Sequence, residues 1–376
     1  MKKRKNILLV TEYYPPHWTG IANTFYILAR QLHKNGHRLT VLTTKFSDNL
    51  PLYEITEGVS IIRTPYLVRF SRLHYSLSGI ARAFSLIPAS DVLVINSPHS
   101  NILPITLLGK FFRKRVYIYH QGDLTLPRQT GSQTFHLILE RLFDAMTLPS
   151  MALADRISTY TNDYALHSRV MKHFMYKFFP YIPPLSLPSA HSSSKTRKTM
   201  IALGKEHKLI GFAGRFVEEK GFDILYQAIT LVLQKIPDAH FVFAGQTEMG
   251  YEPFFKIHKT LIDSQNPHVS YLGLLSKEEL SCFYRGLDVF VSSSRSDCFP
   301  HTQIEAAISA TPLVCTNIPG SRILVAETGF GVLVEPENPQ ALAGGITEVI
   351  QNRGKYLSRS KNVKSFLRKD ENFRIR

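Results

Sequence analysis

The sequence predicts an α/β protein built from two doubly wound parallel-sheet domains. Three observations carry that expectation. Short apolar runs alternate with segments whose apolar residues recur at helical spacing, the rhythm of a parallel sheet covered on both faces. A Pro/Ser-rich stretch at 183–199 breaks the rhythm, which then restarts. The chain has 376 residues, 44% hydrophobic and 20% charged, enough for two ordinary cores.

The elements follow in order. Ile7 to Val10 reads as a first buried strand. Ile21, Phe25, Leu28 and Leu32 mark a helix that stops at Gly36. Arg38–Thr43, Asp91–Ile95 and Val116–Tyr119 read as further strands of the first domain. After the break, Leu209–Ala213 is a strand, and Leu225, Ala228, Ile229 and Val232 mark a helix. Phe241–Ala244, Val289–Ser292 and Pro312–Cys315 are strands. Ser276 with Glu279 reads as a capping box opening a helix over 277–286. These boundaries give an N-terminal domain at 1–182, a linker at 183–205, a C-terminal domain at 206–350 and a tail at 351–376. The tail is expected either to pack back on the first domain or to stay loose.

Composition narrows the function classes. No apolar run reaches the ~18 residues of a membrane span, and the basic start is followed by too short an apolar run for a signal peptide. The expected location is the cytoplasm. Cys282, Cys298 and Cys315 lack the spacing of a disulfide framework or a zinc site and read as reduced thiols. The net charge is +16, and residues 1–182 hold 22 Lys+Arg against 10 Asp+Glu. A basic first half suits anionic lipid, a charged acceptor or nucleic acid, or serves solubility alone. No nucleic-acid reading motif is present. Three stretches mix cations with aromatics: Tyr66–Tyr75 leading to Phe84, Phe111–Arg115, and His167–Tyr181. They suggest peripheral contact with the inner face of the cytoplasmic membrane; basic outer faces on core helices are the other reading.

Ligands of doubly wound sheets bind past the carboxyl ends of the strands. There the chain places Gly214, Arg215, Lys220 and Gly221 after one strand, and Gly245 after the next. Glycines allow close approach of backbone, and two cations suit a diphosphate. Asp297 and Glu305 stand eight apart, and Pro300 places a helix start between them. The free amides of that start, with the two carboxylates, suit an anion and sugar or ribose hydroxyls. Equally, Asp297 caps the helix and Glu305 complements its dipole. His120 with Asp123, and His99, follow strands of the first half. Trp18 reads as packing. No Asp-x-Asp pair or metal-ligand spacing is found among the carboxylates and histidines.

These residues converge on a family. Over about 1–350 the chain resembles glycosyltransferase family 4, retaining enzymes of the two-domain GT-B fold. The resemblance rests on several segments in order. They are Asn6 to Gly20, His120-Gln-Gly-Asp123, Gly211-Phe-Ala-Gly-Arg215 with Glu219-Lys220-Gly221, and Phe243-Ala-Gly-Gln246. The strongest is Ser294 to Val314, which looks like the family's E-x7-E region, followed by Pro319-Gly320. The resemblance implies two Rossmann-like domains facing across a cleft, the first receiving the acceptor. It implies that Arg215 and Lys220 hold the donor diphosphate, that Glu305 holds ribose and that Asp297 lies beside the sugar. Phe299, Pro300 and His301 would bring backbone to sugar and phosphate, His120 would stand near the reacting centre, and Gly20 close to the phosphates. His99 and Asp123 fall on the acceptor side. No metal and no cofactor are implied; the expected ligands are a UDP- or GDP-sugar and a glycan or lipid-linked acceptor.

The sequence departs from the pattern at Asp297, where the family usually has Glu. Thr19-Gly20 stands for two glycines, and Ala310 for the glycine before Thr-Pro. The other readings are an epimerase-like or non-catalytic GT-B protein and, further off, a nucleic-acid-binding protein.

Overall fold

The computed structural model describes residues 4–70, 73–185, 187, 195–247, 249, 252–258, 266–368 and 373. They fall into two compact units. One holds 1–126, 134–183 and 370–376, the other 127–133 and 184–369.

The first unit contains β1 (Asn6–Val10), β2 (Arg38–Thr44), β3 (Tyr53–Thr56), β4 (Val59–Thr64), β5 (Val68–Phe70), β6 (Leu73–Tyr75), β7 (Val92–Ser97), β8 (Arg115–His120), β9 (Arg156–Thr159) and β10 (Phe178–Pro180). Its main sheet runs β10-β9-β8-β7-β1-β2-β4-β3. All neighbours are parallel except β3, an antiparallel edge. Strands buried on both faces must be apolar throughout, and Ile7 to Val10 are at most 2% exposed. The β3–β4 hairpin and the separate β5–β6 pair have no counterpart in the sequence reading.

The second unit contains β11 (Lys208–Ala213), β12 (Ala239–Ala244), β13 (Val269–Tyr271), β14 (Val289–Ser292), β15 (Leu313–Thr316) and β16 (Gly331–Val334). Its all-parallel order is β13-β12-β11-β14-β15-β16, the 3-2-1-4-5-6 order of a dinucleotide-binding sheet. The core on one face is rich in phenylalanine, with Phe212, Phe216, Phe222, Phe241, Phe243 and Phe254 all buried. The expected capping box is formed, Ser276 and Glu279 each bonding the other's backbone N–H around the helix Lys277–Arg285.

Three expectations need correction. The stretch 183–205 is not all linker. Lys195–Glu206 forms a helix of the second unit, held there because Met200 is buried against Gly286. Nor is 351–376 one tail. The helices Arg353–Leu357 and Ser360–Leu367 bury Tyr356, Val363 and Phe366 in the second unit. Phe373 instead packs in the first unit, among the rings of Tyr117, Tyr119, Phe179 and Tyr181. Finally, His167–Tyr181 is not basic surface throughout: Lys172, His173 and Tyr176 are exposed, but other residues of the stretch are buried. Val170, Met171 and Tyr181 are buried, and the Lys177 ammonium donates inward to the carbonyls of Ala152 and Ala154.

Candidate active site

In a doubly wound sheet the strand order reverses once, and the loops on either side of that point diverge to leave a crevice. In the second unit the reversal lies between β11 and β14. The sequence puts Arg215 and Lys220 just past β11, and Asp297 past β14, so topology alone brings them together. Lys220 Nζ donates to Asp297 Oδ2, and Arg215 Nη2 donates to Glu219 Oε1 at 2.6 Å. Two cations thus stand with two carboxylates, a cluster of zero formal charge. Both cations keep access to solvent, with side chains 34% and 23% exposed for Arg215 and Lys220. Burial works against the lysine's charge, but Asp297 and Glu219 outweigh it and hold its pKa above the ordinary lysine value.

Backbone closeness builds this corner. Gly245, at φ +132°, lies so near Gly214 that a Cβ would sit 1.9 Å from the Gly214 carbonyl oxygen. Gly221, at φ +61°, caps the turn Glu218–Lys220 with Ser293 O where a Cβ would be. Gly20 differs. It is the first residue of the helix Gly20–Lys34, whose Thr19 cap accepts from Ala22 N–H, and nothing lies within 4 Å of its would-be Cβ.

The helix His301–Ile308 begins at Pro300, without a side-chain cap. Asp297 caps nothing there; its Oδ1 accepts from Phe299 N at 3.3 Å. Phe299 and Pro300 are buried. His301 is held neutral at physiological pH, its pKa pushed down to about 4 by burial and then by Lys220. Glu305 accepts from the buried Tyr284 hydroxyl at 3.0 Å. Burial raises its pKa to about 7, against that hydrogen bond and Lys277.

The sequence reading missed Arg295, Asp223 and Ser293. Arg295 grips Asp223 through both guanidinium ends, at 2.9 and 2.8 Å. Arg295 sits inside the recognised segment and Asp223 two residues past Gly221, but pairing them requires the sheet order.

At the strand ends of the first unit the chemistry is different. His120, only 2% exposed, has Ser97 Oγ at 3.0 Å from Nδ1 and Asp123 Oδ1 at 3.0 Å from Nε2. Asp123 also accepts from Ser168 Oγ and from Arg169 N–H. Burial opposes its charge, but His120, Ser168 and Arg169 outweigh it and draw its pKa down to about 2. The imidazole is thereby fixed at both nitrogens. His99 is buried, and its Nδ1 accepts from Asn101 N–H at 3.0 Å. With His74, Ser76, Gly79 and Asn101 it lines a small cavity. Burial lowers its pKa to about 3. At the reversal of this sheet, between β1 and β7, stands Glu12, 1% exposed. Its Oε1 accepts from Ser100 N–H, Ser100 Oγ and His74 N–H. Among the described residues no cluster of His, Cys, Asp and Glu suits a metal ion.

Comparison with known proteins resolves what this arrangement belongs to. The family model for glycosyl transferases group 1 matches residues 195–366, and that for glycosyltransferase family 4 matches 18–165. The chain belongs to the group 1 glycosyltransferases of family 4. The alpha-monoglucosyldiacylglycerol synthase of Streptococcus pneumoniae is 22% identical over 361 residues, 91% of this glycosyltransferase and 77% of that protein. Two further curated relatives match only in part, the chain spanning 42% and 40% of their length. Among solved structures, sucrose-phosphate synthase from Thermosynechococcus elongatus superposes with a TM-score of 0.79 at 18% identity, covering 98% of this chain and 95% of that one. Anabaena HepE in complex with UDP-glucose gives 0.72 at 16% identity, covering 98% and 96%. At such identities the likeness carries the fold. The glycosyltransferase has the GT-B fold of two Rossmann-like units.

Proposed function

We propose that this glycosyltransferase moves a hexosyl group from a nucleoside-diphosphate sugar to an acceptor hydroxyl, with retention at the anomeric carbon. The observation that carries the reading is the placement of Arg215 and Lys220 at the strand-order reversal of the second sheet, in the Rossmann position for a nucleotide. The diphosphate seats on these cations, displacing the carboxylates that neutralise them. Glu305 takes ribose hydroxyls, and Asp297, with the backbone of Phe299–His301 and the turns at Gly214 and Gly245, borders the sugar. As the C1–O bond breaks, charge grows on the departing phosphate oxygen, where a fixed guanidinium and ammonium stabilise it. The acceptor oxygen bonds to C1, and its proton leaves with the phosphate. His120, held by Asp123, positions groups of the first unit, with His99 behind the acceptor side. Turnover proceeds without a divalent ion, which activity in chelator tests directly. Anabaena HepE is solved in complex with UDP-glucose, which favours a UDP-sugar among the candidate donors.

The acceptor belongs to cell-envelope glycan or glycolipid synthesis and is met at an anionic membrane face. No helix of the described residues is long and apolar enough to cross a membrane. Support for surface contact comes from two packed helices of the first unit. Leu77 and Phe84 on Leu77–Leu86, and Leu107 and Phe111 on Ile102–Phe111, are all more than half exposed, flanked by the exposed Arg82, Arg113 and Arg115. Vesicles with and without anionic lipid test this by flotation; absence of binding at low salt removes it.

A thermal-shift panel of UDP- and GDP-sugars tests the main reading. A donor at ~100 times its Kd adds about 2.7 kcal/mol of stability. If no nucleotide sugar, UDP or GDP shifts the melt, the reading fails.

A further inference from the structure

We propose that Arg295 is a positioning residue of the donor seat, fixing the turn that presents Lys220 to the diphosphate; this rests on the donor reading above. The turn Glu218–Gly221 presents four carbonyls; Glu218 O and Gly221 O already accept from Gly221 N–H and Ile224 N–H, and each carbonyl has a second lone pair to satisfy. Here the loop after β14 takes them. Arg295 Nη1 donates to Glu218 O at 2.9 Å, Arg295 N–H to Glu219 O at 2.8 Å, and Ser293 Oγ to Gly221 O at 2.7 Å and Lys220 O at 3.2 Å. Arg295 is in turn oriented by Asp223, at the start of the helix Phe222–Leu233 that leaves the turn. The fork is bidentate, and the Asp223 side chain is only 4% exposed. Burial opposes the guanidinium's charge, but Asp223 and Glu337 outweigh it and hold the pKa above the ordinary value.

One side chain therefore ties the loop carrying Lys220 to the loop carrying Asp297, from two residues before Asp297. The guanidinium donates at once to the Asp223 carboxylate, the Glu218 carbonyl and the Glu337 carboxylate, a set of contacts that a lysine ammonium does not reproduce. A long cation such as Lys220 loses less freedom on meeting phosphate when its backbone is already held. Arg295 acts through Lys220, without touching the diphosphate itself.

The test compares UDP and UMP binding by calorimetry, with GDP and GMP used if the parent prefers guanine. The full chain is used as the parent and as Arg295→Lys, Arg295→Ala, Asp223→Asn, Lys220→Ala and the Lys220→Ala/Arg295→Ala double variant. Melting curves accompany each. Arg295→Ala is expected to weaken UDP by about tenfold and UMP by less than about twofold, as one well-placed charged contact to the outer phosphate is lost. Arg295→Lys and Asp223→Asn fall between, and remain informative if Arg295→Ala does not fold. In the Lys220→Ala background, adding Arg295→Ala leaves UDP affinity unchanged. Equal losses of UDP and UMP, or additive losses in the double variant, overturn the proposal and make the contact merely structural. A parent that binds UDP while every Arg295 and Asp223 variant matches it overturns it too, leaving the donor reading intact. A parent that binds no nucleotide defeats both.

Discussion

The two sheets reverse strand order at equivalent places and put opposite chemistry there. In the second unit the crevice past β11 and β14 holds Arg215 and Lys220, both partly exposed and each beside a carboxylate. In the first, the ends of β1 and β7 hold Glu12 and His99, both buried, with hydrogen bonds to nearby backbone and hydroxyls. Topology decides where a ligand meets the sheet; the first residues of each loop decide which ligand. The second unit offers cations that are ion-paired and still open to solvent, which the proposed reading gives to an anion. The first offers buried groups already engaged in hydrogen bonds.

The sharpest way to break this contrast is to remove one of those cations. Lys220→Ala is expected to lower turnover by about a hundredfold or more, on the order of 3 kcal/mol, by analogy with a lost oxyanion donor. The melting temperature should change little, because the ammonium's partner Asp297 keeps the Phe299 N–H contact. Steady-state kinetics beside a melting curve checks both. Unchanged turnover would show that the second unit's cations do not bear on the chemistry.

Next in size are the backbone positions. The seat in the second unit depends on a left-handed turn at Gly221, with Ser293 O 2.1 Å from a would-be Cβ, whereas Gly20 in the first unit is open. Gly221→Ala is expected to cost about 2 kcal/mol from the αL conformation and the displaced loop, while Gly20→Ala stays within about 0.5 kcal/mol. Urea melts of the two decide it; equal costs would erase the distinction. Ala310 gives a third point. Its φ is +62°, so the glycine that the family carries there answers a backbone need that alanine meets under strain. Ala310→Gly should therefore stabilise by about 0.5–1 kcal/mol, the αL relief exceeding the added entropy of the unfolded chain.

These positions also show how much could be read from residues alone. Val289–Ser292, the Ser276–Glu279 box and the helix start at Pro300 were legible because each is a local signal: an apolar run, a capping pair, a ring that fits a first turn. Arg215 and Lys220 were legible because they follow a strand within a few residues. Arg295 was not, since its meaning is its grip on Asp223, 72 residues away. The helix Lys195–Glu206 was obscured by the Pro- and Ser-rich run before it, and is held by tertiary packing of Met200 rather than by a strong apolar stripe. In His167–Tyr181 the sequence does not separate the exposed Lys172 and His173 from Lys177, which buries its stem and donates its ammonium to two carbonyls.

The smallest effect probes Glu12. Burial raises the Glu12 pKa to about 7, against the hydrogen bonds from Ser100 and His74. The folded state therefore keeps a proton that the unfolded chain releases near the ordinary glutamate value, and this group's contribution weakens as pH rises through 7. The imidazoles act the other way. His74, His99, His240 and His301 have pKa values lowered to about 4, 3, 4 and 4, chiefly by burial. They bind fewer protons folded than unfolded, so their contribution is full above about 6.5 and is lost as pH falls below it. A melting curve against pH therefore mixes two opposing signs. Glu12→Gln separates them, because the histidine background cancels in the difference between variant and parent. The amide keeps the acceptor that matters, since Ser100 N–H, Ser100 Oγ and His74 N–H all donate to Oε1. At pH 6 the variant should lie within about 1 kcal/mol of the parent. At pH 8, where the parent must bury a carboxylate, the variant should gain relative to it. A difference that is flat with pH would mean that Glu12 does not change its charge between pH 6 and 8, and that burial does not set its pKa near 7.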